Sequence, residues 1–124
     1  METMQIEIRS RRVSPNLAVV QVIGECDVYT APKFREAVDR LIEDGVTFLA
    51  INLTKTEYLD STALGALVRT LKRVREREGD VDLVNVPDRV RRPLEITHLI
   101  DIFTLTNTED EAVADLIKKG ATEP

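Results

Sequence analysis

Leu59-Asp60-Ser61-Thr62-Ala63-Leu64-Gly65-Ala66-Leu67, with Thr47-Phe48-Leu49-Ala50-Ile51-Asn52-Leu53 shortly before it, is the stretch that decides the fold. The earlier segment is nearly unbroken apolar sequence, as expected of a central strand covered on both faces or close to it. After a polar connection, Leu64, Leu67, Val68, Leu71 and Val74 recur at i, i+3, i+4, i+7 and i+10, which is the apolar stripe of a helix. Arg69, Lys72, Arg73, Arg75, Glu76 and Arg77 fall on its outer side, read as a solvated face, and Gly79 ends it. A buried strand running into a one-sided helix is a β–α unit.

The flanking sequence extends the alternation in both directions. Residues 5–12 alternate apolar and polar, Ser14-Pro15-Asn16 favours a turn, and the β-branched run Leu17–Ile23 stops at Gly24, which predicts a β-hairpin. Phe34, Ala37, Val38, Leu41 and Ile42 keep helical spacing from a start near Thr30, with Pro32 tolerated in the first turn, to Gly45; Glu36 and Arg40 form an i, i+4 pair on this helix. Val81–Val86 reads as a strand, Asp88–Thr97 as a helix, and Asp101–Leu105 as a last strand. Pro93 lacks an N–H and disfavours helical geometry at Arg92, so the third helix should be short, kinked or late to start. Thr108 caps a final helix through Lys119, with Glu109, Asp110 and Glu111 in its first turn and Lys118 and Lys119 in its last. The expectation is one domain over residues 1–124, with a core over about 4–119 and a frayed tail at 120–124. Its class is α/β, with a mixed sheet of four to five strands and about four helices mainly on one face, the other face left open.

Composition excludes several functions. Seventeen basic against 22 acidic side chains, net −5, repel phosphate backbones and anionic lipid, so nucleic acid is not an expected partner. Cys26 is the one cysteine and His98 the one histidine, too few for a Cys/His metal site, and both read as structural. Met1–Gln5 carries no signal-peptide pattern, and no apolar run approaches the ~20 residues that cross a bilayer, so the chain reads as cytoplasmic with no membrane insertion. No nucleophile–base pair and no Gly-rich phosphate loop is visible, so neither an enzyme nor a cofactor is expected.

The one promising constellation lies at the start of the second helix. Unpaired N–H groups and the positive end of the helix dipole favour an anion there, and Ser61 is placed to carry a phosphate. The plain alternative is that Asp60, Ser61 or Thr62 caps the helix, worth about 1 kcal/mol. Thr62, Ala63, Gly65 and Ala66 add a density of small residues, Gly65 at a cost of about 1 kcal/mol relative to Ala, that would let another protein's backbone or a nucleotide approach closely.

Asp60-Ser61-Thr62-Ala63-Leu64-Gly65, preceded by Ile51-Asn52-Leu53 and the Thr54–Leu59 connection, resembles the signature of the STAS domain found in bacterial anti-sigma factor antagonists. Gly24-Glu25-Cys26-Asp27 with Thr30-Ala31-Pro32 resembles the family's Gly-Glu-x-Asp loop and first helix, and residues 88–97 resemble its third helix. Ala63 stands where many members carry Gly. The resemblance implies a partner-switching protein: unphosphorylated, it binds an anti-sigma factor that is also a serine kinase and so releases a sigma factor; phosphorylated, it lets go, and a serine phosphatase resets it. The phosphorylated residue falls on Ser61, with Thr62 a secondary candidate, Asp27 and Asp60 flanking the serine, and Ala63 and Gly65 in the partner-binding surroundings.

Two other readings compete. A receiver domain would take the phosphate on Asp60 and needs a nearby lysine, but lysine is absent from Arg73 through Ile117, and Glu25 and Asp27 follow the second strand instead of the first. A STAS protein could also serve as a constitutive scaffold or regulatory subunit of a stress-signalling or membrane-transport complex and never be phosphorylated.

Overall fold

The computed structural model describes residues 6–124; Met1–Gln5, including the expected first strand residue Gln5, lies outside the described residues. The elements run β1 (Ile6–Ser14), β2 (Leu17–Cys26), α1 (Ala31–Glu43), β3 (Phe48–Asn52), β4 (Thr56–Leu59), α2 (Ser61–Arg75), β5 (Asp80–Val84), α3 (Asp88–Ile96), a 3₁₀ turn at Leu99–Ile102, β6 (Thr104–Thr106) and α4 (Glu109–Lys118). The sheet order is β1-β2-β3-β5-β6, with β4 paired to β2 beside this path. Among the described residues only the β1–β2 hairpin is antiparallel, so the sheet is mixed, as the sequence predicts.

The sheet has six strands where the sequence suggests four to five, and the extra one lies inside the supposed polar connection. After Asn52 the chain leaves β3 and returns as β4 to the far end of β2, pairing Thr56 with Gly24, Tyr58 with Glu25 and Leu59 with Cys26. The register shifts between Gly24 and Glu25, and Gly24 accommodates this with φ of 103°, a conformation that suits glycine. Thr56 is buried but satisfied, its hydroxyl donating to the Val22 carbonyl at 2.7 Å. Four residues with Glu57 and Tyr58 both exposed carry no period-two signal.

The period of two along β2 divides the core. Ala18, Val20 and Val22 face one layer with Leu49, Ile51 and Leu83, covered by Phe34, Val38 and Ile42 of α1, Leu64, Leu67 and Leu71 of α2, and Val90 and Leu94 of α3. Leu17 and Val19 face the other layer with Phe48, Ala50 and Val84, covered by Ala112 and Leu116 of α4. Three helices therefore share one face, as expected, but the opposite face is not left open, because α4 packs on it. The tail at 120–124, expected to fray, is anchored at its start: Ala121 is buried in the second layer and Thr122 N donates to Asn16 Oδ1 at 2.8 Å. Pro93 sits within α3, which does not start late but begins at Asp88 and runs nine residues to Ile96. The expected strand at 101–105 begins as a 3₁₀ turn, and pairing is confined to Thr104–Thr106.

The basic outer face of α2 is largely bound within the fold instead of standing free in solvent. Asp39 of α1 pairs with Arg69 at 2.9 Å and with Arg73. Burial pushes the Asp39 carboxyl up, but hydrogen bonds and charge from the two guanidiniums outweigh it and hold the group below its ordinary value. Arg75 reaches Asp80 and the Ile102 carbonyl, and Arg77 donates to the Ile42 carbonyl. The Glu36–Arg40 pair forms at 3.6 Å between exposed side chains and contributes little.

A polar cluster lies under α4. Asp82 is fully buried on β5, and Lys119 Nζ lies 3.2 Å from its Oδ1, 3.0 Å from Asp80 Oδ2 and 2.9 Å from Asp115 Oδ2. Burial, then the neighbouring Asp115, push the Asp82 carboxyl up from 3.8 to about 7 against the opposing pull of Lys119. The hydrogen bond from Asp82 in turn lowers Asp115, while hydrogen bonds to three carboxylates outweigh burial and raise Lys119.

Two predictions follow from this packing. A Cβ on Gly79 would sit 1.6 Å from the Thr47 carbonyl oxygen, so Gly79→Ala should destabilise the fold by about 1–3 kcal/mol or more, read as a lower urea midpoint. The folded chain also holds more protons on Asp82 than the unfolded chain between pH 3.8 and about 7, so this contribution to stability is full at the acidic end and lost as pH rises through about 7. The lowered Asp115 and raised Lys119 act outside this window, on its acidic and alkaline sides. Melting temperature should fall from pH 5 to 8, and Asp82→Asn should remove most of that slope; an unchanged slope would place the titration elsewhere.

Candidate functional site

β4 delivers Asp60 to the end of β2, and the site is built around that residue. Asp60 N donates to the Cys26 carbonyl at 3.2 Å, which ties the start of α2 to the loop after β2. Its backbone is extended, as an N-cap requires, and its Oδ1 accepts from Ala63 N at 3.0 Å. Its Oδ2 accepts from Val28 N at 3.0 Å. One carboxylate thus satisfies a donor of the helix and a donor of the neighbouring loop.

The loop carries its own lock. Asp27 Oδ1 accepts from Tyr29 N at 2.9 Å and Thr30 N at 3.0 Å, while Thr30 Oγ1 accepts from Asp27 N at 2.9 Å and donates to the Glu25 carbonyl at 2.7 Å. Asp27 O accepts from Ala31 N at 2.7 Å, leading the chain into α1. Beneath the loop lies Cys26, whose thiol is pushed up to about 12 by burial and then by the charges of Asp60 and Asp27, so it stays protonated and unreactive. The two carboxylates hold consecutive residues of one loop, Asp60 at Val28 N and Asp27 at Tyr29 N and Thr30 N.

With the cap assigned to Asp60, the alternatives left open in the sequence separate. Ser61 and Thr62 are exposed, and neither hydroxyl has a hydrogen-bond partner among the described residues. The backbone N–H groups of Ser61 and Thr62 are also unpartnered among the described residues, at the positive end of a 15-residue helix. Gly65 is exposed, and a Cβ built on it would meet nothing within 4 Å, so no packing among the described residues requires glycine there. Ala63 departs from expectation: it is 1% exposed and belongs to the buried core that includes Cys26, Phe34 and Leu67, so its small side chain fits the core and only its N–H serves the site.

His98 lies apart, exposed on a left-handed residue after α3. Among the described residues no cluster of His, Cys, Asp and Glu is arranged to hold a metal ion, and no helix is long and apolar enough to cross a membrane. Sequence reasoning passed over Val28 and Tyr29, which are 54% and 88% exposed on the loop that Asp60 holds. The available signal was an adjacent apolar pair between the turn-forming Asp27 and Thr30.

Comparison with known proteins agrees with this architecture. The anti-sigma-B factor antagonist of Listeria monocytogenes is 38% identical over 109 residues, covering 87% of this chain and 95% of the relative. An anti-sigma factor antagonist from Mycobacterium paratuberculosis superposes with a TM-score of 0.77 at 30% identity over 90% of this chain and 94% of its own. The unphosphorylated anti-sigma factor antagonist SpoIIAA gives a TM-score of 0.79 at 20% identity, covering 94% and 100% of the two chains. Bacillus SpoIIAA in its phosphorylated form gives 0.71 at 19% identity over 88% and 98%, and at these identities both SpoIIAA matches speak to the fold. The STAS domain family matches residues 9–112, which include β2, the Asp27 loop, β4 and the whole of α2, and the chain belongs to that family.

Proposed function

We propose that this chain is an anti-sigma factor antagonist, a single STAS unit that acts by binding and not by catalysis. Its partner is an anti-sigma factor with serine kinase activity in the cytoplasm. The observation that carries this reading is the division of labour at α2: Asp60 performs the capping, so the exposed Ser61 hydroxyl has no structural duty and is free for modification. The names of the most similar relatives support it, the Listeria protein being an antagonist of an anti-sigma factor.

In this reading the unphosphorylated face of Ser61, Thr62 and Gly65 meets the partner. A phosphate on Ser61 brings about −1.5 to −2 charges beside Asp60, and its oxygens can accept the free N–H groups of Ser61 and Thr62. The fold tolerates the group while the interface does not, because the anion fills the contact surface and would lose its hydration there. A serine phosphatase restores the binding form.

The test is binding to the cognate anti-sigma factor. Ser61→Ala should bind as the unphosphorylated chain does and be insensitive to ATP, while Ser61→Asp should bind at least about tenfold more weakly; equal affinities would contradict the switch. Gly65→Ala separates fold from interface. With open space at the Cβ it should raise fold stability by up to about 1 kcal/mol, yet weaken partner binding in a titration. Unchanged binding would remove Gly65 from the contact.

A further inference from the structure

Among the described residues the large apolar side chains that stand exposed are Val28, Tyr29, Tyr58, Ile96 and Ile102. Three of the five belong to the two segments that meet at Asp60. Val28 and Tyr29 lie on the loop whose Val28 N–H bonds the Asp60 carboxylate, and Tyr58 lies on β4, two residues before Asp60 and opposite Glu25 in the register. Tyr29, 88% exposed, is the most extreme, and its one hydrogen bond within the described residues is made by its backbone N–H.

The loop that carries it is not slack. Asp27 accepts from Tyr29 N and Thr30 N, Asp60 accepts from Val28 N, and Thr30 closes the turn onto Glu25 and Asp27, so four consecutive backbone N–H groups from Asp27 to Thr30 are bonded. A mobile loop could fold an aromatic ring back onto the surface. A loop fixed by two carboxylates holds the ring out in water, and the ordering entropy is already met before any partner arrives. Tyrosine is among the residues that most often dominate interface energetics, since it buries a large rigid area at the cost of few torsions.

We propose that Tyr29, flanked by Val28, is the apolar anchor that docks the chain onto its kinase partner, in an apolar pocket beside the partner's active site. This rests on the reading of Ser61 as the residue that partner phosphorylates. The position of the pocket follows from continuity: Ser61 must enter the active site, and Asp60, the residue next to it, holds the N–H of Val28, the neighbour of Tyr29 on the loop. The anchor contributes equally to holding the partner and to presenting the serine. Losing it therefore raises KM for phosphorylation and weakens binding, while the turnover of the saturated kinase is retained.

The experiment measures binding of the unphosphorylated full chain to the anti-sigma factor by titration, together with the rate of Ser61 phosphorylation against substrate concentration, for the natural chain, Tyr29→Ala and Tyr29→Phe. Tyr29→Ala should weaken binding and raise KM at least about tenfold with kcat little changed, and Tyr29→Phe should stay close to the natural chain. Melting temperatures should agree among the three, because so exposed a ring supports no packing. Binding by Tyr29→Ala within about twofold of the natural chain overturns the anchor, as does equal loss in Tyr29→Phe, which would assign the effect to the hydroxyl. Failure of the natural chain itself to bind or be phosphorylated removes the underlying reading as well, and is distinguishable because it precedes any substitution.

Discussion

The carboxylate of Asp60 accepts one hydrogen bond from the first turn of α2 and one from the loop after β2, and the geometry of the site depends on that double acceptance. Either bond alone is an ordinary cap or an ordinary loop contact. Made by one side chain, they fix the separation between the helix start and the loop, and with it the relation between Ser61 and Tyr29. The requirement reaches back into the sheet. Asp60 arrives where it does because β4 leaves the path of β3 and pairs with the end of β2, and because Asp60 N reaches the Cys26 carbonyl.

The rest of the chain supports that junction from both faces. Phe34, Val38 and Ile42 of α1 and the apolar stripe of α2 close one layer, while α4 closes the other over Phe48 and Ala50. The Asp39 pairs with Arg69 and Arg73 link α1 to α2 near their shared seam, so the elements that carry the site are joined by charge as well as by apolar contact. A buried acidic cluster under α4, with Lys119 facing three carboxylates, lies on the opposite face of the sheet and is a matter of stability.

What the sequence made legible follows from how strongly each signal is repeated. The stripe from Leu64 to Val74 and the continuous apolar run of β3 each rest on five or more residues, and both elements occur where expected. The cap is ambiguous in sequence among Asp60, Ser61 and Thr62, because all three residue types fill that role, and the extended backbone of Asp60 with its bond from Ala63 N decides it. β4 could not be read: four residues held by pairing to β2 have no periodicity of their own, and its buried Thr56 looks like a loop residue until its hydroxyl is seen bonded to Val22. The inward turn of Ala63 and the internal pairing of the α2 arginines were hidden for a similar reason. Both depend on what α1 and the loop bring opposite them, which is a long-range fact.

The central claim is that Ser61 is free because Asp60 does the structural work. It is tested most directly by incubating the chain with ATP and host lysate, locating the added phosphate by peptide mass spectrometry, and challenging it with hydroxylamine. The account predicts a phosphate on Ser61 that survives hydroxylamine, as a phosphate ester does. A labile phosphate on Asp60, or no phosphate in a lysate whose kinases are demonstrably active, would contradict it.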